Sequence, residues 1–79
     1  MPCTHEIFDE INVLARYNLA TTQEGIKVHK GADPAVIAAV RRLHDKDLLT
    51  QSDGGYLTPL GREAAEHVQA ALTLLMPAG

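Results

Sequence analysis

The sequence predicts a mainly α-helical domain with one small β-hairpin. Two helix-start signals, Asp33-Pro34 and Thr58-Pro59, each precede apolar residues at helical spacing. Between them, Ser52-Asp53-Gly54-Gly55 combines turn-forming residues with glycines that tolerate positive φ. A chain of 79 residues with one Phe, two Tyr and no Trp can build one aliphatic core, so we expect a single domain over residues 1–79.

The first predicted helix covers residues 4–17. Thr4 is a suitable N-cap, because its hydroxyl can accept a hydrogen bond from a free N–H group of the first turn. The apolar residues that follow recur at helical spacing: Ile7, Phe8, Ile11, Leu14 and Ala15.

Residues 18–32 allow two interpretations. Thr22 can cap a short helix, whereas Gly25 and the alternation of Ile26 with Val28 favour an extended segment. We expect a short second helix in this segment.

A third helix is predicted from Asp33-Pro34 to about Asp47. The Asp side chain can accept from the first turn, and a proline at the first helical position loses no hydrogen bond. The apolar stripe consists of Val36, Ile37, Val40 and Leu43.

Residues 48–58 are predicted to form the hairpin, and the last helix is predicted to follow Thr58-Pro59 and run to about Met76, before Pro77. The resulting order is helix, short helix, helix, hairpin, helix. That order is typical of a winged helix-turn-helix domain.

Two runs of residues resemble known sequences. VRRLHDKDLL (40–49) followed by DGGYLTPLGRE (53–63) resembles the end of a bacterial winged-helix regulator, with a recognition helix ending Arg-Leu-x-x-Lys-Gly-Leu-Ile, a wing, and Tyr-x-Leu-Thr-x-x-Gly-Arg. The whole chain is similar to a family of small, largely uncharacterised proteobacterial proteins described as DNA-binding. The resemblance implies a winged helix-turn-helix fold and a DNA-binding function.

The chain departs from that pattern at two places. Asp47 stands where the pattern has Gly, and AVIAA (35–39) occupies the helix start where regulators commonly carry Ser, Arg, Gln or Asn. Small apolar side chains can touch a thymine methyl group but cannot make the bidentate hydrogen bonds that distinguish base pairs. We therefore expect weak sequence specificity.

The charge distribution locates the candidate DNA contacts. The net charge is −3, but residues 25–50 carry five Lys and Arg against three Asp, a net charge of +2. We expect the third helix in the major groove of double-stranded DNA, with contacts from Lys27, Lys30, Ala38, Arg41, Arg42 and Lys46. Replacing both arginines with Ala should weaken binding to all sequences. Alternatively, these cations form a solvated face paired with Asp33, Asp45 and Asp47.

Other function classes find little support in the sequence. No nucleophile elbow, phosphate loop, dinucleotide motif or paired carboxylates suggest an enzyme or a cofactor. The four histidines form no i, i+4 pair, and Cys3 with His5 does not specify a metal site. With one cysteine, no signal-peptide pattern and no apolar run of roughly 20 residues, we expect a cytoplasmic protein without membrane contact.

The sequence also predicts contacts with other protein chains. The last helix carries more apolar positions than one small core needs, which predicts a homodimer through Val68, Leu72 and Leu75, although packing onto the first helix would explain them equally. The alternative function is a protein-interaction winged helix that uses its Ala/Ile/Val surface and binds no nucleic acid.

Overall fold

The computed structural model describes residues 4–76, which form three helices and a three-stranded antiparallel sheet. The elements are α1 (His5–Leu14), β1 (Ile26–Lys27), α2 (Pro34–Asp45), β2 (Leu49–Gln51), β3 (Gly54–Leu57) and α3 (Pro59–Leu75). The strand order is β1-β3-β2, so the hairpin strand β3 lies in the centre. Cys3 and Pro77 lie outside the described residues.

Helix α1 begins as predicted and ends earlier. The Thr4 hydroxyl accepts from the Ile7 N–H at 3.2 Å, and the helix ends at Leu14 rather than at residue 17. Tyr17 lies beyond this end, is buried, and donates its hydroxyl to the Gly55 carbonyl at 3.0 Å. Burial raises the pKa of Tyr17 to about 12.

The predicted short helix in residues 18–32 is wrong, because this segment forms turns followed by strand β1. Asn18 and Thr21 accept hydrogen bonds from the backbone two residues on, at 2.9 and 3.0 Å, which favours turns over a helix. A Cβ atom on Gly25 would lie 2.8 Å from the Gly55 carbonyl oxygen. Glycine at this position therefore lets the segment approach β3 closely.

Both ends of α2 follow from local chemistry. Asp33 Oδ1 accepts from the Ala35 N–H at 2.9 Å, and Pro34 is the first helical residue, as predicted. At the other end, Asp47 N–H donates to His44 O and Leu48 N–H donates to Leu43 O, both at 2.9 Å. These two bonds form a Schellman motif, in which Asp47 has a φ of 64°.

The hairpin and the start of α3 are confirmed. Gly54 and Gly55 have φ values of 127° and 72° at the start of β3, where the register of the β2–β3 pairing shifts. Thr58 caps α3 by accepting from the Gly61 N–H at 2.9 Å. Gly61 is buried, and a Cβ atom at this position would collide with the Leu48 carbonyl oxygen. Within the Leu-Thr-x-x-Gly-Arg string, Thr58 thus caps α3, and Gly61 lets the helix backbone approach the backbone of Leu48.

The core lies where the three helices meet the sheet. It consists of Val13, Leu14, Tyr17, Ala39, Val40, Leu43, Leu49 and Ala65. Two side chains attach the segment after α1 to α3: Gln69 donates to the Tyr17 carbonyl at 2.7 Å, and Arg62 donates to the carbonyls of Leu19 and Thr21. Within residues 4–76, no helix has the length and apolar character needed to cross a membrane.

Candidate nucleic-acid interface

The five predicted basic contacts separate into two groups in the structure. Lys27, Lys30 and Arg41 line a half-open groove of about 600 Å³ between the segment that begins with β1, helix α2 and the hairpin turn. Arg42 and Lys46 do not line this groove and instead contact α1. We call the first feature the basic groove, with its full lining of Lys27, Val28, His29, Lys30, Ile37, Val40, Arg41, Ser52 and Asp53.

Strand pairing holds one wall of the basic groove in place. Lys27 pairs with Gly54 across the β1–β3 ladder, and the Val28 N–H donates to the Asp53 carbonyl at 2.8 Å. A Cβ atom on Gly54 would lie only 2.5 Å from the Ile26 carbonyl oxygen. Glycine at position 54 therefore lets β3 approach β1 closely, and the turn residues Ser52 and Asp53 line the groove next to this contact.

Helix α2 supplies the other wall. Its inward side carries Ala39, Val40 and Leu43, which are fully buried, whereas Ala38 and Arg41 are exposed. Ala38 and Arg41 are three residues apart and so lie on one face of the helix. Ala38 is therefore exposed on the same helix face as Arg41, beside the groove.

Among the described residues, Lys27, Lys30 and Arg41 form no ion pair within 4 Å. Among residues 4–76, the side-chain ion pairs within 4 Å join Arg42 to Glu6 and Glu10, Lys46 to Glu10, and His44 to Asp45. None of these ion pairs includes Lys27, Lys30 or Arg41. All three residues are exposed. Of residues 4–76, Asp53 alone contributes a carboxylate to the groove lining, so the electrostatic field of the groove is positive.

Arg42 and Lys46 belong to a charge cluster that joins α2 to α1. Arg42 Nε donates to Glu10 Oε2 at 2.9 Å, Lys46 Nζ donates to Glu10 Oε1, and Arg42 also donates to the Glu6 carbonyl at 3.1 Å. Glu10 is only 4% exposed. The partners of Arg42 and Lys46 are therefore Glu6 and Glu10, not the nearby Asp33, Asp45 and Asp47 that the sequence suggested.

Two opposing effects determine the pKa of Glu10. Burial alone would raise the pKa of its carboxyl group, but hydrogen bonds from Lys46 and Arg42, together with their charges, outweigh burial. The net result is a pKa below the ordinary value of 4.5. The same hydrogen bond to Glu10 raises the pKa of Arg42. Arg42 is thus committed to a structural ion pair.

The residues predicted for dimerisation lie along α3 with increasing exposure. Val68 is half-buried and packs against the core, Leu72 is half-buried, and Leu75 is 76% exposed. Leu74 and Met76 beside it are 87% and 64% exposed. The unpaired apolar surface therefore lies at the C-terminal end of α3.

Comparison with known proteins places the chain in a family. The profile of a family of unknown function, DUF5669, matches residues 1–76. The chain belongs to this family. No curated protein and no solved structure matches the chain.

The sequence alone did not identify the uncharged and acidic residues that contribute to the groove. His29, Ser52 and Asp53 line it, and the two last lie in the turn that was interpreted only as a backbone requirement. The alternation of Ile26 with Val28 was the available signal for the extended wall. Within residues 4–76, no group of His, Cys, Asp and Glu side chains is arranged to hold a metal ion.

Proposed function

We propose that this protein binds double-stranded DNA as a winged-helix protein, chiefly through the phosphate backbone. In this proposal, α2 lies along the major groove, the β2–β3 hairpin is the wing, and Lys27, Lys30 and Arg41 contact phosphates. The observation that carries it is the basic groove, where three exposed cations from two segments face one opening without an acidic partner within 4 Å among residues 4–76.

The shape of α2 supports backbone recognition with little sequence preference. Its exposed face presents Ala35, Ala38 and Arg41, so a duplex can approach closely, but only Arg41 offers hydrogen-bond donors to a base edge. Turns and strand β1 stand where the short helix was expected, so the first helix of a helix-turn-helix unit is missing and α2 is its remaining helix. Phosphate contacts position a protein on DNA without reading its sequence. A helix face with one hydrogen-bonding side chain fits this kind of contact.

The alternative of a protein-docking surface on the Ala/Ile/Val stretch of α2 receives less support. Ala39 is completely buried, and Val36 and Ile37 are half-buried. Only Ala35 and Ala38 of this stretch are exposed. Two alanine methyl groups offer too little apolar area to hold a partner.

The test is a salt titration of binding to a fluorescein-labelled duplex of mixed sequence, measured by anisotropy. Each phosphate that a cation neutralises contributes about 0.9 to the slope of log affinity against log salt. Arg41→Ala should therefore weaken binding to all duplexes and flatten the slope by about 0.9, and Lys27→Ala and Lys30→Ala should act similarly.

The control is Arg16→Ala, which removes the same charge from an exposed position outside the groove. It should leave the slope unchanged. Arg42 is unsuitable for this test because its removal would strand the buried Glu10 carboxylate and disturb the fold. Absence of duplex binding at low salt, or an equal effect of Arg16→Ala and Arg41→Ala, would overturn the proposal.

A further inference from the structure

The basic groove has a second property that phosphate contacts do not use, namely an apolar floor. Val28 and Ile37 line the groove and are half-buried, so each exposes part of its apolar side chain there. Val40 also belongs to the lining but is fully buried. The groove volume of about 600 Å³ is within the range of small-molecule sites, roughly 300–1,000 Å³. Such sites combine an apolar lining with a few polar groups that orient the ligand.

We propose that this groove binds a small organic acid with an apolar body, of the aryl carboxylate class. The apolar body would cover the exposed parts of Val28 and Ile37, and the carboxylate would face Lys27, Lys30 and Arg41. Both parts are needed, because an inorganic anion leaves the apolar floor in water, whereas a neutral apolar molecule leaves the cations without a counter-charge.

The hairpin turn contributes one carboxylate and one hydroxyl group to the groove. Asp53 is half-buried in the groove lining, and its carboxylate opposes a second negative charge on that side. Ser52, next to it, is exposed and offers a hydroxyl donor that a carboxylate oxygen can use.

Ligand binding in this groove does not require DNA, because it depends on the apolar side chains and on charge complementarity. If DNA also binds, the two ligands share Lys27, Lys30 and Arg41 and exclude one another. The experiment that follows contains no DNA, so its result is separate from that of the proposed function.

The test is an amide NMR titration with three matched probes: 2-naphthoate, naphthalene-2-methanol and acetate. The naphthoate should shift the amide signals of Val28, His29, Ile37 and Ser52, whereas the alcohol lacks the charge and the acetate lacks the apolar body. We expect both of these to bind at least about tenfold more weakly.

Substitutions of basic residues test the contribution of charge. Arg41→Ala should weaken naphthoate binding about tenfold, and Lys30→Ala serves the same purpose if Arg41→Ala does not fold; Arg16→Ala should change nothing. Equal affinity for naphthoate and the alcohol, equal affinity for naphthoate and acetate, or shifts confined to Leu74, Leu75 and Met76 would each overturn the proposal.

Discussion

The guanidinium group of Arg42 donates to the buried carboxylate of Glu10, with Nε 2.9 Å from Oε2, and so joins α2 to α1. Arg41, its neighbour in sequence, lines the basic groove instead. Adjacent positions on a helix point about 100° apart, so Arg42 faces α1 while Arg41 faces the groove. Function and stability can therefore be tested with different substitutions on the same helix.

The Glu10 cluster predicts a loss of stability in acid. Because the folded-state pKa of Glu10 is below 4.5, its contribution is complete above pH 4.5 and is lost as the pH falls through the folded-state pKa. Glu10→Gln should lower the free energy of unfolding by about 2 kcal/mol at neutral pH. The difference from the unsubstituted protein should shrink below pH 4.5 in urea titrations.

Glu6→Gln is the matched control, since it removes the same charge from the same helix. The Glu6 side chain is 71% exposed and lies 3.7 Å from Arg42, so its loss should cost less than about 0.5 kcal/mol. Equal costs for the two substitutions would contradict a structural role for Glu10.

The positive φ of Asp47 predicts a stabilising substitution. At 64°, this residue occupies the left-handed region, where Gly is less strained than Asp. Asp47→Gly should raise the free energy of unfolding by about 0.5–1 kcal/mol, after the greater entropy of an unfolded glycine is subtracted. Asp47→Ala removes the same charge without relieving the strain, and equal thermal stability of the two variants would refute the explanation.

The sequence predicted those elements whose signals are local. The caps Thr4, Asp33 and Thr58 lie next to the helices that they start, and the Gly54-Gly55 turn lies within its own hairpin. The segment after α1 was predicted wrongly because its conformation depends on distant groups. Gly25 approaches Gly55, and Arg62 binds the carbonyls of Leu19 and Thr21.

The candidate site was predicted in part for the same reason. Net charge identified residues 25–50 as basic, but charge alone could not separate Arg41 from Arg42, whose partner Glu10 is 32 residues away. The contact partners of a cation depend on helix packing. The spacing of residues along one helix does not predict these partners.

Gly61 predicts a cost for a substitution that would ordinarily favour a helix. Alanine is about 1 kcal/mol better than glycine inside a helix, but a Cβ atom on Gly61 collides with the Leu48 carbonyl oxygen. Gly61→Ala should therefore lower the free energy of unfolding by about 1–3 kcal/mol. Gly31→Ala is the control, because its Cβ atom meets nothing within 4 Å, and a stabilised Gly61→Ala protein would show that the close approach is unimportant.

The C-terminal end of α3 predicts self-association. Leu75 is 76% exposed. A two-fold symmetric dimer would bury Leu75 of both protomers, so one substitution changes the interface at two positions. Burying an exposed leucine contributes about 1.5–3 kcal/mol, and Leu75→Glu should therefore raise the dimer dissociation constant at least about tenfold. Sedimentation equilibrium over a range of protein concentrations measures this constant.

Leu60→Glu provides the comparison for that experiment. Leu60 is 51% exposed at the opposite end of the same helix, so its substitution adds the same charge away from the proposed contact. Leu72 is half-buried, and replacing it would test the fold together with the interface. A monomer at every concentration, or equal weakening by Leu60→Glu and Leu75→Glu, would exclude dimerisation through the end of α3.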